Sequence, residues 1–364
     1  MDKLKQLFGY GFSQAQVPSL VGKTFVVTGG SNGIGLSISR TLYSHGAKVI
    51  IVGGQQQHID GAVSYIQTGD LKFATESYSS GFGSQTDNSA DGGSESGEVV
   101  AKLCELKDLK AVAELSKELV KELDGRLDGL FLIAGLGVNA FEQTKDGYDA
   151  HLTANSISQI VMLSHLLPLL EKTSKLPGTD VRIVSMSSEL HRATFGGPGE
   201  KFGGTKFGSE EEFKQDIGPS NLYARSKLAD ILLIRRTVQL YLQPPSTVLA
   251  FATHPGAVAT GQTRQYKDAY GDTAGAIMET IIRPLMRAPD DGALSALWAG
   301  TAPEARNNEK YDNGTYFSNP DQDGGETSEA KDQELIENFW NQSIKIIEKV
   351  AGSDALGPFS SSQA

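Results

Sequence analysis

A tyrosine and a lysine four positions apart, Tyr223 and Lys227, are the side chains of this sequence best suited to chemistry. Residues at positions i and i+4 of a helix lie on the same face, so the ammonium group can stabilise the ionised phenol. A phenol that loses its proton near neutral pH is a general acid or base for a hydroxyl or carbonyl group. Beside a dinucleotide site, this pair predicts hydride transfer between a cofactor and an alcohol or carbonyl compound.

A glycine-rich turn near the start of the chain is typical of such a dinucleotide site. The sequence reads T-F-V-V-T-G-G-S-N-G-I-G at 24–35, which indicates a strand, a tight turn and the beginning of a helix. Gly29, Gly33 and Gly35 would let the backbone approach a pyrophosphate, whose negative charge the helix N-terminus favours. The turn therefore predicts the phosphate-binding end of a nucleotide site.

The same turn also matches the nucleophile elbow of serine hydrolases, G-x-S-x-G, with Ser31 as the nucleophile. An elbow of that kind needs an oxyanion loop from an earlier strand, and only about two dozen residues precede this one. We therefore favour Ser31 as a hydrogen-bond donor to the cofactor, and a serine hydrolase is the less favoured alternative.

The end of the second strand bears on the choice of cofactor. NAD sites usually have an acidic residue about 20 positions after the glycine turn, where it binds the ribose hydroxyls. Here the sequence reads V-I-I-V-G-G-Q-Q-Q, and Gly53 and Gly54 leave room for a 2′-phosphate without supplying a charge for it. The side chains of Ser31, Asn32 and Gln55 are neutral groups that could bind this phosphate. We predict NADP(H), slightly favoured over NAD(H).

Short apolar strands alternate with longer helical stretches along the chain. Strands are predicted at 24–28, 47–52, 99–104, 129–133, 181–185 and 247–252. Each is followed by enough residues for a crossover helix, which favours a parallel sheet buried on both faces. With right-handed crossovers, the pattern predicts one α/β domain over 20–350, a doubly wound parallel sheet of the Rossmann type with helices on both faces. Apolar spacing indicates a further helix at 329–349.

Three segments depart from this alternation. Residues 76–97 have too few apolar groups to offset the entropy of ordering, and are predicted to be a flexible surface insert. Residues 192–220 are glycine-rich and then acidic, and are either a lid over the site or a plain surface loop. Residues 353–364 are predicted to be a disordered tail.

Composition excludes several classes of partner and site. The formal net charge of −11 disfavours a nucleic acid or an anionic membrane surface. The single cysteine, Cys104, cannot form an internal disulfide, and the first residues lack the apolar core of a signal peptide. No apolar run reaches the ~18 residues that span a bilayer. The histidines lack the spacing of metal ligands. These features predict a cytoplasmic protein with no metal, no nucleic-acid partner and no firm membrane anchor.

Taken in chain order, further motifs resemble those of a known superfamily. They are T-G-G-S-N-G-I-G at 28–35, C-E-L-K-D-L at 104–109, L-D-G-L-F-L-I-A-G at 127–135, A-N-S at 154–156, R-I-V-S-M-S-S at 182–188, Y-A-R-S-K-L-A at 223–229 and H-P-G-A-V-A-T at 254–260. The set resembles the short-chain dehydrogenase/reductase superfamily, most closely its retinol-dehydrogenase-like members. The resemblance covers about residues 20–350.

This resemblance implies an NAD(P)-dependent oxidoreductase that acts on an apolar small-molecule alcohol or carbonyl compound. Tyr223 would exchange the proton, and Lys227 would support its ionisation and bind the nicotinamide ribose. Ser188, rather than Ser187, would hydrogen-bond the substrate oxygen, and Asn155 would hold a water that relays protons to Lys227. The cofactor would be bound by Tyr223, Lys227 and a larger set of motif residues: Gly29, Ser31, Asn32, Gly33, Ile34, Gly35, Glu105, Leu106, Ala134, Gly135, Pro255, Gly256, Val258 and Thr260.

Three positions depart from the family pattern. Ile133 replaces the usual asparagine of N-A-G, Glu105 replaces the usual aspartate near the adenine, and Gly54 replaces the arginine that many relatives use for the NADP phosphate. These departures leave open a catalytically idle dinucleotide-binding redox sensor, although the complete Ser, Tyr, Lys and Asn set favours an enzyme. The resemblance also allows a homodimer through helices at 155–170 and 226–242, while the unusual inserts make a monomer credible.

Overall fold

A central sheet organises the chain, as the alternation of apolar strands and helices predicts. The structure is a computed structural model that describes residues 11–74, 97–194, 204–256, 258 and 287–359. The described strands are β1 Thr24–Thr28, β2 Lys48–Gly53, β3 Glu98–Leu103, β4 Gly129–Leu132, β5 Arg182–Met186, β6 Leu249–Thr253, β7 Tyr316–Asn319 and β8 Gln322–Asp323. They form one sheet in the order β3-β2-β1-β4-β5-β6-β7-β8.

Strands β1 to β7 are parallel, which confirms the doubly wound parallel sheet. All six predicted strands are present, with ends shifted by at most two residues. The sequence did not predict β7 and β8, and β8 runs antiparallel to β7 at the sheet edge. Both strands are short and lie among Asn, Asp and Gly residues, which are typical of turns.

Helices cover both faces of this sheet. They are α1 Gly33–Ser44, α2 Gln56–Thr68, α3 Leu109–Glu122, α4 Ser158–Ser174, α5 Pro219–Tyr241, α6 Pro289–Thr301, α7 Pro303–Asn307 and α8 Gln333–Ala351. A π-helical turn, Thr153–Ile157, leads into α4. Successive strand residues point to opposite faces: Val26 packs in the core with α3, α4, α5 and α8, whereas Phe25 and Val27 pack in the core with α1, α2 and α6. None of the described helices is both long and apolar enough to cross a membrane.

The predicted inserts are only partly described. Residues 76–97 lie outside the described residues except for Gly97, and so do 195–203 within the second insert. The described remainder of that insert is 192–194 and 204–220. It is anchored in the core, because Phe207 and Phe213 are fully buried and their rings pack against Phe339 of α8. Whether the segment acts as a lid or as a plain surface loop stays a prediction.

The prediction of a disordered tail is corrected for 353–359. The buried ring of Phe359 stacks on Tyr241 at a centroid distance of 4.9 Å. The backbone N–H of Gly357 donates to Ser164 Oγ at 2.8 Å, and that of Phe359 donates to Ser164 O at 3.1 Å. The buried side chains of Phe359 and Ala355 and the hydrogen bonds to Ser164 together hold this segment on α4 and α5. Residues 360–364 lie outside the described residues.

Candidate active site

A cleft of about 640 Å³ opens at the carboxyl ends of the strands, where the strand order reverses between β1 and β4. Ligands bind at this switch point in open α/β sheets. The cleft is lined by most of the predicted site residues: Gly29, Ser31, Asn32, Gly33, Ile34, Gly35, Glu105, Leu106, Ala134, Gly135, Ser188, Tyr223, Lys227, Pro255, Gly256 and Val258. Thr260 lies outside the described residues.

The glycine turn has the close packing that a backbone cradle for phosphate requires. Gly29 has a φ of +70°, and a Cβ on Gly35 would lie 2.2 Å from the carbonyl oxygen of Gly29. The side chain of Asn32 caps α1 by accepting from the N–H of Gly33 at 2.8 Å. The turn therefore brings the positive N-terminus of α1 to the cleft, as a pyrophosphate site needs.

Ser31 does not have the exposure of a hydrolase nucleophile. Its side chain is only 5% exposed, and a Cβ on Gly53 would lie 2.5 Å from Ser31 Oγ. An elbow serine instead presents its oxygen at the top of a strained turn. The geometry of Ser31 is that of a residue packed between the glycine turn and the end of β2.

Thr28, at the end of β1, holds the loop that follows β4. Its hydroxyl oxygen accepts from the N–H groups of Ile133 and Ala134 at 3.0 and 3.1 Å. This tie joins the neighbouring strands at the position where Ile133 replaces the asparagine of the family pattern. Sequence reasoning missed this role; the available signal was a hydroxyl residue at the carboxyl end of the first strand.

Asn155 lies behind the cleft, within the π-helical turn before α4. Its Oδ1 accepts from the N–H of Leu136 at 2.7 Å, and its Nδ2 donates to Leu136 O and to Ser226 Oγ at 3.1 and 2.8 Å. The side chain therefore connects the loop after β4 to α5. The role predicted for Asn155 in holding a water that relays protons to Lys227 stays a prediction.

Helix α5 brings both Tyr223 and Lys227 to the cleft. The helix begins at Pro219, a residue whose fixed φ suits a first helical position. Lys227 Nζ lies 5.8 Å from the centre of the Tyr223 ring and donates to Met186 O and Asp230 Oδ2 at 2.8 and 2.9 Å. Burial acts to lower the pKa of Lys227, but the charges of Asp230 and Tyr223 outweigh burial and raise it above its ordinary value. The lysine is therefore a buried ammonium.

Asp230 was not predicted as a site residue. It is buried one helical turn after Lys227, where a sequence pattern alone suggests an ordinary i, i+3 surface pair. Burial raises the pKa of Asp230 to about 6, although the charge and hydrogen bond of Lys227 and the hydrogen bond of Ser156 act to lower it.

The two serines after β5 have different environments. Ser187 is buried, and its hydroxyl donates to the carbonyl oxygen of Lys227 at 2.7 Å. Both serines line the cleft, but Ser188 Oγ accepts from the N–H of Leu190 at 3.2 Å, which leaves its hydroxyl hydrogen free of that bond. The hydroxyl hydrogen of Ser187 is therefore used within the fold, whereas that of Ser188 is not used in the bond to Leu190.

Two histidines near this strand have structural partners. His254 Nδ1 accepts from the N–H of Gly256 at 2.8 Å, so a neutral ring carries its hydrogen on Nε2. Burial, with the nearby positive charges, lowers the pKa of His254 to about 4. His191 is fully buried, and its Nδ1 lies 2.6 Å from the carbonyl oxygen of Ser188. Within the described part of the chain, no cluster of three or more potential metal ligands is present.

The chain is similar to known dehydrogenases and oxidoreductases. A family model described as short chain dehydrogenase matches residues 23–78. The chain is 32% identical over 342 residues to a Neurospora crassa protein named as the mitochondrial oxidoreductase bli-4, with 92% of this chain and 74% of the relative covered.

Two further relatives have names that specify alcohols. Polyprenol dehydrogenase of Danio rerio is 27% identical, with 94% of this chain and 92% of the relative covered. Retinol dehydrogenase 14 of Homo sapiens is 25% identical, with 89% and 83% covered. Both support the predicted retinol-dehydrogenase-like resemblance.

A solved structure supports the fold. The RhlG/NADP complex of Pseudomonas aeruginosa has a TM-score of 0.53 and 20% identity, with 82% of this chain and 94% of that chain covered. At this identity the likeness concerns the fold, and it agrees with the doubly wound sheet described above.

Proposed function

The chain belongs to the short-chain dehydrogenase/reductase superfamily and is an NAD(P)-dependent oxidoreductase, and from this premise we propose which of its residues catalyse the reaction. Tyr223 exchanges a proton with the substrate oxygen, and Lys227 stabilises the ionised phenol and binds the nicotinamide ribose. Ser188 donates a hydrogen bond to the same substrate oxygen. Asn155 fixes the loop after β4 and holds the water that relays protons to Lys227.

The single observation that carries this proposal is the convergence of three side chains from two elements at one cleft. Helix α5 supplies Tyr223 and Lys227, the end of β5 supplies Ser188, and all three residues line the cleft. An ammonium beside a phenol favours its ionised form, and a neutral hydroxyl can donate to an alkoxide as its charge develops. Proton transfer and oxyanion stabilisation are therefore available at one place.

The cofactor fits the other end of this cleft. Gly29 and Gly35 let the backbone of the turn pack where a Cβ would overlap it, and the first residues of α1 line this end of the cleft, where helix N–H groups favour a phosphate. Pro255, Gly256 and Val258 border it on the side of β6. When bound there, the nicotinamide supplies the hydride chemistry, while the protein orients the reactants and moves the proton.

The proposed preference for NADP(H) rests on the end of β2. The neutral residue Gln55 and His58 line the cleft next to Gly53 and Gly54, and among these four residues there is no carboxylate to repel a 2′-phosphate. The similar RhlG structure is named as an NADP complex. Without an arginine we expect a slight preference, about 10-fold or 1.4 kcal/mol.

We propose an apolar alcohol or carbonyl compound as substrate. Leu136, Ala154 and Met186 contribute apolar surface to the cleft near Tyr223. The named substrates of two relatives, polyprenol and retinol, are alcohols. A panel of aldehydes, ketones and alcohols, followed by nicotinamide absorbance, would identify the class.

The test of the catalytic assignment is Tyr223→Phe. The variant keeps the ring but lacks the transferable proton, so we expect turnover to fall at least ~100-fold while the cofactor still binds. Turnover and cofactor affinity should be measured together, the latter by fluorescence titration. Retention of turnover would exclude Tyr223 as the proton donor.

Tyr311→Phe is the matched control. The Tyr311 hydroxyl donates to Asp321 Oδ1 at 2.6 Å, and Tyr311 is not among the residues that line the cleft. This variant also loses one phenolic hydroxyl, and we expect its turnover to match the wild type. If the wild type binds cofactor but turns over no compound of the panel, the idle redox sensor becomes the better description.

A further inference from the structure

The proposed roles give no function to the carboxylate beside Lys227. Asp230 is 2% exposed, and its two oxygens accept from Lys227 Nζ and from Ser156 Oγ, each at 2.9 Å. Ser156 lies in the π-helical turn, next to Asn155. A buried carboxylate is costly unless it is paired and hydrogen-bonded, and this one is both. At this position Asp230 can affect both the orientation and the charge balance of Lys227.

The first effect of Asp230 is geometric. A lysine ammonium has three N–H donors. Among the described residues, Met186 O of β5 and Asp230 Oδ2 of α5 take two of them, from two different elements. With the ammonium fixed from these sides, the remaining N–H is the one available to the cleft that Lys227 lines.

The second effect is electrostatic. A buried ammonium without a counter-charge would oppose any further positive charge in the same cleft. The nicotinamide ring is positively charged in the oxidised cofactor and neutral in the reduced one. A carboxylate 2.9 Å from Lys227 Nζ makes the pair neutral as a whole, so the cleft can hold either form of the ring.

We propose that Asp230 is a positioning residue for Lys227, which aims the ammonium at the cleft and balances its charge so that the oxidised cofactor is retained. This inference rests on the proposed function, because it takes Lys227 as the residue that contacts the cofactor. The proposal concerns the balance between the two cofactor forms, and a merely structural carboxylate would leave that balance unchanged.

The groups around Asp230 set the expected pH dependence. The titratable groups of this cluster are Lys227, Asp230 and Tyr223, all on α5. The elements packed against it contribute the Ser156 hydroxyl from the π-helical turn and the Met186 carbonyl from β5. Because burial raises the pKa of Asp230 to about 6, the carboxylate becomes protonated as the pH falls through that value. The wild type should therefore bind the oxidised cofactor less well, relative to the reduced one, below about pH 6.

Asp230→Asn tests the proposal with little change of shape. The new amide can accept from Lys227 and donate to Ser156 Oγ, whose own hydrogen can go to Ser226 O at 3.0 Å. We expect the ratio of dissociation constants, oxidised over reduced cofactor, to rise about 10-fold at neutral pH. The acidic limb of kcat/KM for alcohol oxidation should also move to lower pH, since an uncompensated ammonium favours ionised Tyr223.

Asp128→Asn is the matched control. Asp128 is also buried, and it pairs with Arg126 Nε at 2.8 Å, but it directly precedes β4, at the amino ends of the strands, whereas the cleft lies at their carboxyl ends. Removal of this charge should leave the ratio of dissociation constants unchanged. A ratio for Asp230→Asn within twofold of the wild type would overturn the proposal.

A second variant keeps the proposal testable if Asp230→Asn fails to fold. Ser156→Ala removes a hydrogen bond that favours the ionised carboxylate of Asp230, so Asp230 should become protonated at a higher pH than in the wild type. As the pH falls, the ratio of dissociation constants, oxidised over reduced cofactor, should therefore begin to rise earlier. An unchanged pH dependence would contradict the role of Asp230. Tyr223→Phe separates the two proposals. If this variant retains turnover, the catalytic assignment alone is refuted. If it is inactive, but Asp230→Asn leaves the ratio of cofactor dissociation constants unchanged, the Asp230 proposal alone is refuted.

Discussion

At the residue scale, two adjacent glycines at the end of β2 have different surroundings. A Cβ on Gly53 would lie 2.5 Å from Ser31 Oγ and 3.0 Å from the side chain of Ile59. A Cβ on Gly54 would have only the carbonyl oxygen of Cys104 nearby, at 3.7 Å, an ordinary contact. The acidic residue of NAD sites would therefore have to displace Ser31 at position 53, whereas position 54 is open to a side chain.

Gly54→Arg should widen the preference for NADP(H) from about 10-fold to about 100-fold, because a guanidinium binds a phosphate with paired donors. The measurement is kcat/KM of the wild type and the variant with both cofactors. Gly54→Ala, which adds a side chain without charge, should behave as the wild type. A wild type that prefers NAD(H) by 10-fold or more would show that a carboxylate elsewhere, with Glu105 the first to test, binds the ribose.

The sequence predicted the residues that line the cleft better than the residues that hold them in place. Tyr223, Lys227 and the glycine turn are recognisable because their types and spacing are unusual in combination. Thr28 and Asp230 are common types at common positions, a strand-end threonine and an i+3 partner on a helix. Their importance depends on burial and on partners distant in the chain, such as Ile133, and no local pattern specifies these.

At the element scale, the described part of the second insert is held by its aromatic side chains and by carboxylates, of which Glu212 binds the insert's own backbone. Glu212 accepts from the backbone N–H groups of Lys206, Phe207 and Gly208 at 2.9 to 3.0 Å. Arg225 of α5 donates to the carbonyl oxygen of Glu212 at 2.6 Å, two residues after Tyr223. The glycine content that predicted a loop did not reveal these contacts. Whether 192–220 acts as a lid stays a prediction.

Phe213→Ala should lower the free energy of unfolding by about 3 kcal/mol, because it leaves a cavity between Phe207 and Phe339. Urea denaturation gives this value directly. Phe73→Ala, at a position that is 36% exposed, should cost less than half as much. A loss below about 1 kcal/mol for Phe213→Ala would mean that the insert is not part of the cooperative core.

At the scale of the whole molecule, α4 and α5 are covered by parts of the same chain. Helix α8 packs against α5 through Trp340, whose ring lies 6.1 Å from that of Tyr241. The segment 353–359 lies against both helices: His165 Nε2 is 3.0 Å from Ala355 O, and Phe359 stacks on Tyr241. The homodimer through 155–170 and 226–242 that the family resemblance allows would have to form around these covering residues or displace them.

We expect the chain to sediment with the mass of one protomer, because its own residues already bury the apolar face that an association would use.

Truncation after Gly352 should expose the rings of Tyr241 and Trp340, lower the free energy of unfolding by about 2 kcal/mol and induce concentration-dependent association. Truncation after Phe359 is the control, since it keeps the stacked ring and both backbone hydrogen bonds to Ser164. Sedimentation velocity over a range of concentrations distinguishes the outcomes. A two-protomer mass for the intact chain would show that the covered face does not determine assembly. If truncation after Gly352 leaves the free energy of unfolding and the sedimenting mass unchanged, 353–359 contributes nothing to the fold.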